Sequence, residues 1–168
     1  MPQGQYPSVN AGTTYTASLI QSFAPLNAYK TADTGRTSTT TATADPDLSI
    51  PVVANAWYKW ELWLNYEGFT QGSSDLKVGL GIPAGSTVRG SAEYTNASGG
   101  TVVEIYWTGG ALQVGTNGAG AIRGFNSRGT LQMGGTAGSF TLNWAQNTSS
   151  GTATIVHTGS YMQLTRYV

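Results

Sequence analysis

Polar and apolar residues alternate along the stretch WYKWELWLNY, residues 57–66. One set of alternate positions holds Tyr58, Trp60, Leu62, Leu64 and Tyr66, and the other holds Trp57, Lys59, Glu61, Trp63 and Asn65. Because successive side chains of a strand point to opposite sides of the sheet, this pattern predicts a half-buried strand. We therefore assign Tyr58, Trp60, Leu62 and Leu64 to the core. Trp57 and Trp63 fall on the opposite face and need a different explanation.

Similar short runs recur to the end of the chain, separated by Gly, Asn and Ser. They are DLKVGLGIP (75–83), STVRGSAEYT (86–95), TVVEIYW (101–107), AIRGF (121–125), GTLQM (129–133), SFTLNWAQ (139–146), ATIVHT (153–158) and SYMQLTRYV (160–168). Trp144 lies on the apolar face of its run, and we assign it to the core as well. About eight short strands with such turns indicate a sandwich or barrel. Parallel pairing would need long crossover segments, so antiparallel pairing is favoured. We predict an all-β, antiparallel jelly-roll sandwich over residues 47–168.

The first 46 residues have a different character. They contain four prolines and the low-complexity run TSTTTATAD at 37–45. Their apolar residues recur neither at every second position, as in a strand, nor about every 3.6 positions, as in a helix. Such a segment cannot bury enough surface to fold alone. We interpret residues 1–46 as an extended N-terminal arm that becomes ordered against a partner, with a disordered tail as the alternative. The predicted contact residues of the arm are Tyr6, Tyr15, Leu19, Phe23 and Tyr29.

Composition narrows the classes of partner. Only 10% of the residues are charged and the formal net charge is zero, against about 25% charged residues in an average domain. The chain has no basic stripe, so a nucleic-acid partner is not expected. It also has no apolar run of the ~20 residues that span a bilayer, and its N-terminus does not have the pattern of a secretory signal. We expect synthesis in a cytoplasm, no membrane insertion, and a place in an assembly, because zero net charge favours association.

Candidate chemistry is sparse. His157 is the only histidine, no nucleophile motif surrounds any serine, and the chain has no cysteine. Asp45 and Asp47 flank Pro46, which is too few ligands for calcium. The glutamates at 61, 67, 93 and 104 are scattered, and the glycine-rich stretches lack the lysine of a phosphate loop. We predict no catalytic residue, no metal site and no cofactor.

Trp57 and Trp63 share their face with charged neighbours, and two indoles facing only water would be an adhesive surface. Three explanations are open: a subunit interface, a platform for a ligand, or cover by the N-terminal arm. We group Tyr167 with them as a candidate interface residue.

Several blocks of the chain resemble a group of small virion proteins of tailed phages, especially phages of actinobacteria, known as capsid decoration, head or minor tail proteins. The blocks are RTSTTTATADPDLSIPVVANAWYKWELWLNYEG (36–68), DLKVGLGIPAG (75–85) and GTAGSFTLNWAQNTSSGTATIVHTGSYMQLTRYV (135–168). The group is similar to the jelly rolls of C1q and tumour necrosis factor, which form trimers. The resemblance therefore implies a homotrimer and, because catalytic residues do not define the group, no enzymatic activity. The region 88–128 departs most from the pattern.

The resulting hypothesis is a capsid decoration protein on the outside of a phage head, with the major capsid protein as partner. In this hypothesis the arm docks on the shell, and Trp57, Trp63 and Tyr167 form the trimer or arm interface. An alternative is a tail or fibre module that binds host-surface carbohydrate through Trp107 and the loop at 109–120. A third hypothesis is a hydrolase that uses His157 and the glutamates.

Overall fold

The computed structural model describes residues 10–96 and 100–167, without the side chains of residues 71–74 and 101–105. Within these ranges the chain forms one short helix and twelve strands. They are α1 (Ala17–Ser22), β1 (Leu26–Tyr29), β2 (Thr34–Arg36), β3 (Thr43–Val52), β4 (Trp57–Glu67), β5 (Gln71–Gly81), β6 (Thr87–Thr95), β7 (Thr101–Trp107), β8 (Leu112–Asn117), β9 (Arg123–Gln132), β10 (Gly138–Gln146), β11 (Thr154–Val156) and β12 (Tyr161–Arg166). In the described part of the chain, no helix is long and apolar enough to cross a membrane.

The strands form two antiparallel sheets that pack as a sandwich. The larger sheet runs in the order β1-β12-β4-β9-β6-β7, and β11 joins β2 to β4 at its side. The smaller sheet runs β3-β10-β5-β8. The prediction of an all-β antiparallel sandwich of jelly-roll type is confirmed.

The number of strands differs from the expected eight. The runs at 121–125 and 129–133 belong to one long strand, β9, because Asn126, Ser127 and Arg128 between them continue the ladder with β4 instead of turning the chain. Four further strands, β1, β2, β3 and β8, lie outside the runs that the sequence analysis assigns to strands. Each of them pairs with the free edge of another strand: β12, β11, β10 or β5. Such pairing depends on residues far away in the chain, so the local sequence pattern does not reveal it.

The core lies between the sheets, and β4 is at its centre. The inward side chains of β4 are all buried: Tyr58, Trp60, Leu62, Leu64 and Tyr66. Trp144 of β10 is buried from the opposite sheet. Trp60 packs against Trp107 and Phe140 with ring centroids 6.1 and 5.8 Å apart, so one indole contacts elements of both sheets.

The N-terminal segment is only partly an arm. The sequence places the domain boundary after residue 46, whereas β3 crosses that position without interruption. Residues 26–29 add β1 to the edge strand β12, with Leu26 opposite Leu164 and Tyr29 opposite Tyr161. Residues 26–46 are therefore built into the sandwich. Within the described residues, the segment outside the sheets is 10–25.

A buried polar cluster fastens this segment to the sandwich. Lys30 Nζ lies 3.1 Å from both carboxylate oxygens of Asp45 and 2.8 Å from Thr34 Oγ1. Trp144 Nε1 donates to Asp45 Oδ2 at 2.9 Å, and the backbone N–H of Leu48 donates to Asp45 Oδ1. The carboxylate of Asp45 thus links the end of β1 to β3 and β10.

Candidate functional site

The outer face of the larger sheet carries the two tryptophans that the sequence leaves outside the core. Trp57 begins β4 and Trp63 lies six positions later on the same outward face. A strand advances about 3.3 Å per residue, so the two Cα atoms are separated by about 20 Å. The structure therefore does not bring Trp57 and Trp63 together, and each has its own neighbours.

Trp57 is half-buried against the C-terminal end of the chain. Its ring centroid lies 6.3 Å from that of Tyr167, and the backbone N–H of Tyr167 donates to the Trp57 carbonyl at 3.0 Å. Partial burial raises the pKa of the Tyr167 phenol above its ordinary value. Two of the three predicted interface residues thus form one corner of the sheet, which we call the Trp57–Tyr167 corner.

Trp63 lies at the other end of β4 in a fixed orientation. Its Nε1 donates to Asn65 Oδ1 at 3.1 Å. A Cβ atom added to Gly124 of β9 would lie 3.1 and 3.2 Å from Cη2 and Cζ2 of the indole, closer than ordinary contact. The absence of a side chain at Gly124 therefore lets the ring lie against β9. The indole is held on one side and remains 37% exposed.

Two tyrosines continue from Trp63 across the sheet. Tyr161 of β12 is the direct cross-strand partner of Trp63, and Tyr29 of β1 is the partner of Tyr161. Both tyrosines are exposed. We call Tyr29, Tyr161 and Trp63 the aromatic row. The row exists only because β1 is part of the sheet. The interpretation of residues 1–46 as a separate arm therefore could not predict it.

On its other side Trp63 borders a shallow cavity of about 210 Å³. We call it the Trp63 groove, and its lining residues are Trp63, Glu93, Tyr94, Thr95, Gly124 and Asn126. Asn126 of β9 is the cross-strand partner of Trp63, and Glu93 of β6 is the partner of Asn126. Glu93 is the one charged side chain in the lining, and among the described residues it has no ion-pair partner.

The residues predicted for the arm are divided by the fold. Tyr6 lies outside the described residues, and Tyr29 belongs to β1. Helix α1 buries none of its residues: Leu19 is half-buried, Ile20 is 59% exposed and Phe23, which caps the helix, is 47% exposed. Tyr15, just before the helix, is 67% exposed. Large apolar side chains therefore cluster on a segment that its own sandwich does not cover.

The C-terminal end of this segment borders a second cavity of about 260 Å³ beside β3. Its lining residues are Gln21, Ser22, Ala24, Leu26, Pro51, Val53, Tyr58 and Arg166. Leu26 and Val53 are both exposed, so apolar surface continues from α1 onto the sandwich.

His157 lies close to two carboxylates from other chain segments. Its Nδ1 lies 3.0 Å from Asp33 Oδ2, and its Nε2 lies 3.6 Å from Glu67 Oε2, which is an ion-pair distance and not a hydrogen bond. The hydroxyl of Ser160 donates to the backbone carbonyl of His157 at 2.8 Å and does not point to the ring nitrogens. These contacts join the loop before β2, the end of β4 and the end of β11.

The other candidates have structural contacts. Trp107, the proposed sugar residue of the alternative hypothesis, is buried and its Nε1 donates to the Gly110 carbonyl at 2.6 Å, so it offers no ring face to a ligand. Asp45 and Asp47 contact Lys30. In the described part of the chain, no three His, Asp or Glu side chains are grouped so that they could hold a metal ion.

The chain matches no protein-family profile and no curated protein sequence. Among solved structures it is similar to the tripod (BppUct-A-L) from the baseplate of bacteriophage Tuc2009, with 11% identity, a TM-score of 0.40, and coverage of 96% of this chain and 73% of that chain. It is also similar to the VP2 subviral particle of infectious bursal disease virus, with 10% identity, a TM-score of 0.23, and coverage of 85% of this chain and 41% of that chain. At these values the likeness says nothing about function.

Proposed function

We propose that this chain is a structural protein of a phage virion: a capsid decoration protein that binds the major capsid shell as a homotrimer and stabilises it. The observation that carries the proposal is the uncovered apolar surface of the segment 10–25. The resemblance of residues 36–68, 75–85 and 135–168 to virion proteins of tailed phages supports the location in a virion.

The segment 10–25 is suited to docking on another protein. An isolated helix as short as α1 is marginal in water, since helices gain stability mainly by packing. Yet Tyr15, Ile20 and Phe23 remain exposed. Contiguous exposed apolar side chains mark sites of protein contact. A partner surface that covers these side chains would supply the packing that α1 lacks in the single chain.

The Trp57–Tyr167 corner is the proposed contact between subunits of the trimer. Its two rings already pack on each other and would present a preformed apolar surface to a neighbour. Aromatic residues are enriched at the buried centres of protein interfaces. A low charge content also reduces the repulsion between identical subunits.

The proposed mechanism uses binding energy alone. Contacts that exist only in the assembled shell stabilise that shell by linkage. A trimer presents three copies of segment 10–25 to neighbouring capsid subunits. The second and third contacts then form intramolecularly, so three weak contacts can give tight binding.

A co-sedimentation assay with shells of the cognate major capsid protein tests the docking proposal. We expect saturable binding of the wild type and a large loss in a Tyr15→Ser/Phe23→Ser double variant. Tyr106→Ser is the matched control, because Tyr106 is 70% exposed on β7, away from segment 10–25. Normal binding by the double variant, or no binding by the wild type, would contradict the proposal.

Truncations must respect the fold. Deletion of residues 1–24 removes α1 and leaves β1 intact, whereas deletion of residues 1–46 also removes β1, β2 and part of β3. Only the shorter deletion separates loss of docking from loss of folding. Light scattering of the wild type and Trp57→Ser tests the trimer contact, and a monomeric wild type would contradict it.

A further inference from the structure

The aromatic row and the Trp63 groove take no part in the function proposed above. We propose that they form a binding site for a neutral glycan, in which a hexopyranose ring stacks on Trp63 and the chain continues over Tyr161. The site is distinct from Trp107 and the loop at 109–120, where the ring is buried.

The orientation of Trp63 is the first support. The ring is fixed before any ligand arrives, because Asn65 accepts its N–H and the backbone at Gly124 supports it from below. A preorganised group loses little conformational freedom on binding. Since the indole N–H is already used, the ring offers a ligand its carbon surface and no free polar group. The face of an aromatic ring carries negative potential, and the axial C–H groups of a pyranose carry partial positive charge.

The rim of the Trp63 groove supplies polar groups that can bind the hydroxyls of a sugar. Asn126 lies beside Trp63 in the sheet and its amide can both donate and accept hydrogen bonds. Glu93 lies one strand further and its carboxylate accepts only. A sugar has an apolar face and a rim of hydroxyls that donate and accept. An aromatic floor with such a rim fits it, in the way that ligand sites combine apolar lining with a few polar groups.

The register of the sheet extends the site. Tyr161 and Tyr29 follow Trp63 on consecutive strands, and neighbouring strands lie about 4.8 Å apart. This spacing is comparable to the length of one sugar ring, so successive units of an oligosaccharide could meet successive aromatic side chains. A linear glycan of two or three units is therefore the expected ligand.

Charge decides between glycan classes. Glu93 is the only charged side chain that lines the groove, and no ion pair of Glu93 forms within the described residues. A uronate or sialylated glycan would bring a second negative charge next to this carboxylate, and like charges at short distance repel. The site should therefore take neutral hexoses or amino sugars and reject acidic sugars.

The test is an array of neutral, amino and acidic oligosaccharides probed with the full chain, followed by calorimetry on the strongest ligand. We expect neutral or amino-sugar ligands to bind. Trp63→Ala and Asn126→Ala should weaken binding about tenfold or more, the scale of one lost central contact. Trp63→Phe should retain part of the affinity, and Glu93→Gln should admit acidic glycans.

Tyr106→Ala is the control, because by its register with Ser91 it is an exposed aromatic on the same sheet face, outside the row. It should bind as the wild type does. No bound glycan, or equal binding by Trp63→Ala, would overturn the proposal. A change of oligomeric state in Trp63→Ala with no glycan bound would instead identify a protein interface. Capsid binding uses segment 10–25, so either proposal can fail without the other.

Discussion

Lys30 Nζ lies 3.1 Å from both carboxylate oxygens of Asp45, and both side chains are completely buried. Lys30 follows β1, and Asp45 lies in β3 of the opposite sheet. The pair therefore ties together two strands from the segment whose sequence predicts a loosely attached arm.

Replacement of Lys30 by Met should strongly destabilise the protein. Asp45 would keep its bonds from Trp144 and the backbone but would lose the ammonium that lies 3.1 Å from both of its oxygens. Breaking a buried ion pair by removing one partner costs about 3–5 kcal/mol. Urea unfolding measures this loss. Lys59→Met is the control, since Lys59 is exposed on β4, and it should change the free energy of unfolding by less than about 0.5 kcal/mol. Equal effects of the two substitutions would contradict the structural role of the pair.

The pair also shows why the N-terminal strands escaped prediction. The alternation in WYKWELWLNY predicts the inward and outward faces of β4 because one side of that strand meets the core along its whole length. In β1 and β2 only four and three residues pair, with strands more than a hundred positions away. A period needs more residues than that to become visible. Likewise, nothing in the local sequence connects Asp45 to Lys30. From the sequence alone, Asp45 therefore looks like part of the polar junction between the arm and the domain.

Acid should loosen the region around β2 and β11. The pKa of Asp33 is lowered from its ordinary value of 3.8, first by the backbone N–H of Thr158, which donates to it, and then by the His157 side chain. A carboxylate with a lowered pKa in the folded state stabilises the fold above its unfolded pKa and loses that contribution as the pH falls through the folded value. The loss should therefore occur below about pH 4.

Amide hydrogen exchange of residues 34–36 and 154–158 between pH 5 and pH 3 checks this expectation. Comparison with Asp33→Asn corrects for the intrinsic pH dependence of exchange. The variant should lack the extra acid-induced loss of protection, although Glu67 also faces His157 and remains in place. Identical acid responses in both proteins would show that Asp33 contributes nothing to this region.

Two tryptophans of β4 should respond very differently to truncation. Trp60→Ala removes a ring packed against Trp107 and Phe140 and should cost about 3–5 kcal/mol, the usual range for a buried aromatic residue. Trp63→Ala removes a ring on the outer face and should cost less than about 1 kcal/mol. The unfolding midpoints of the two variants in urea show how much more the inward ring of β4 stabilises the protein than the outward ring does. Similar losses would mean that the outer ring stabilises the chain as much as the core ring does.

Glycine in β6 creates room for the core tryptophan. Gly90 lies opposite Gly129 in the register, and Gly129 lies opposite Trp60, so two residues without side chains flank the indole. A Cβ atom at position 90 would lie 2.8 Å from Cζ2 of Trp60 and would also clash with the Arg128 carbonyl. The sequence alone does not show why glycine stands at these two strand positions, because the space that the glycines leave is filled from a different strand.

Gly90→Ala should therefore destabilise the protein by about 1–3 kcal/mol, the usual cost of overpacking a core. Gly110→Ala is the matched control, because a Cβ atom there meets nothing within 4 Å, and it should shift the free energy of unfolding by less than about 1 kcal/mol. The near-ultraviolet circular dichroism of Gly90→Ala should also change, since the environment of Trp60 is altered directly. An unchanged spectrum and unfolding at the wild-type urea concentration would contradict this prediction. Glycine at position 90 would then not be what makes room for Trp60. The strands at Gly90 and Gly129 would have to pair less closely than the register shows.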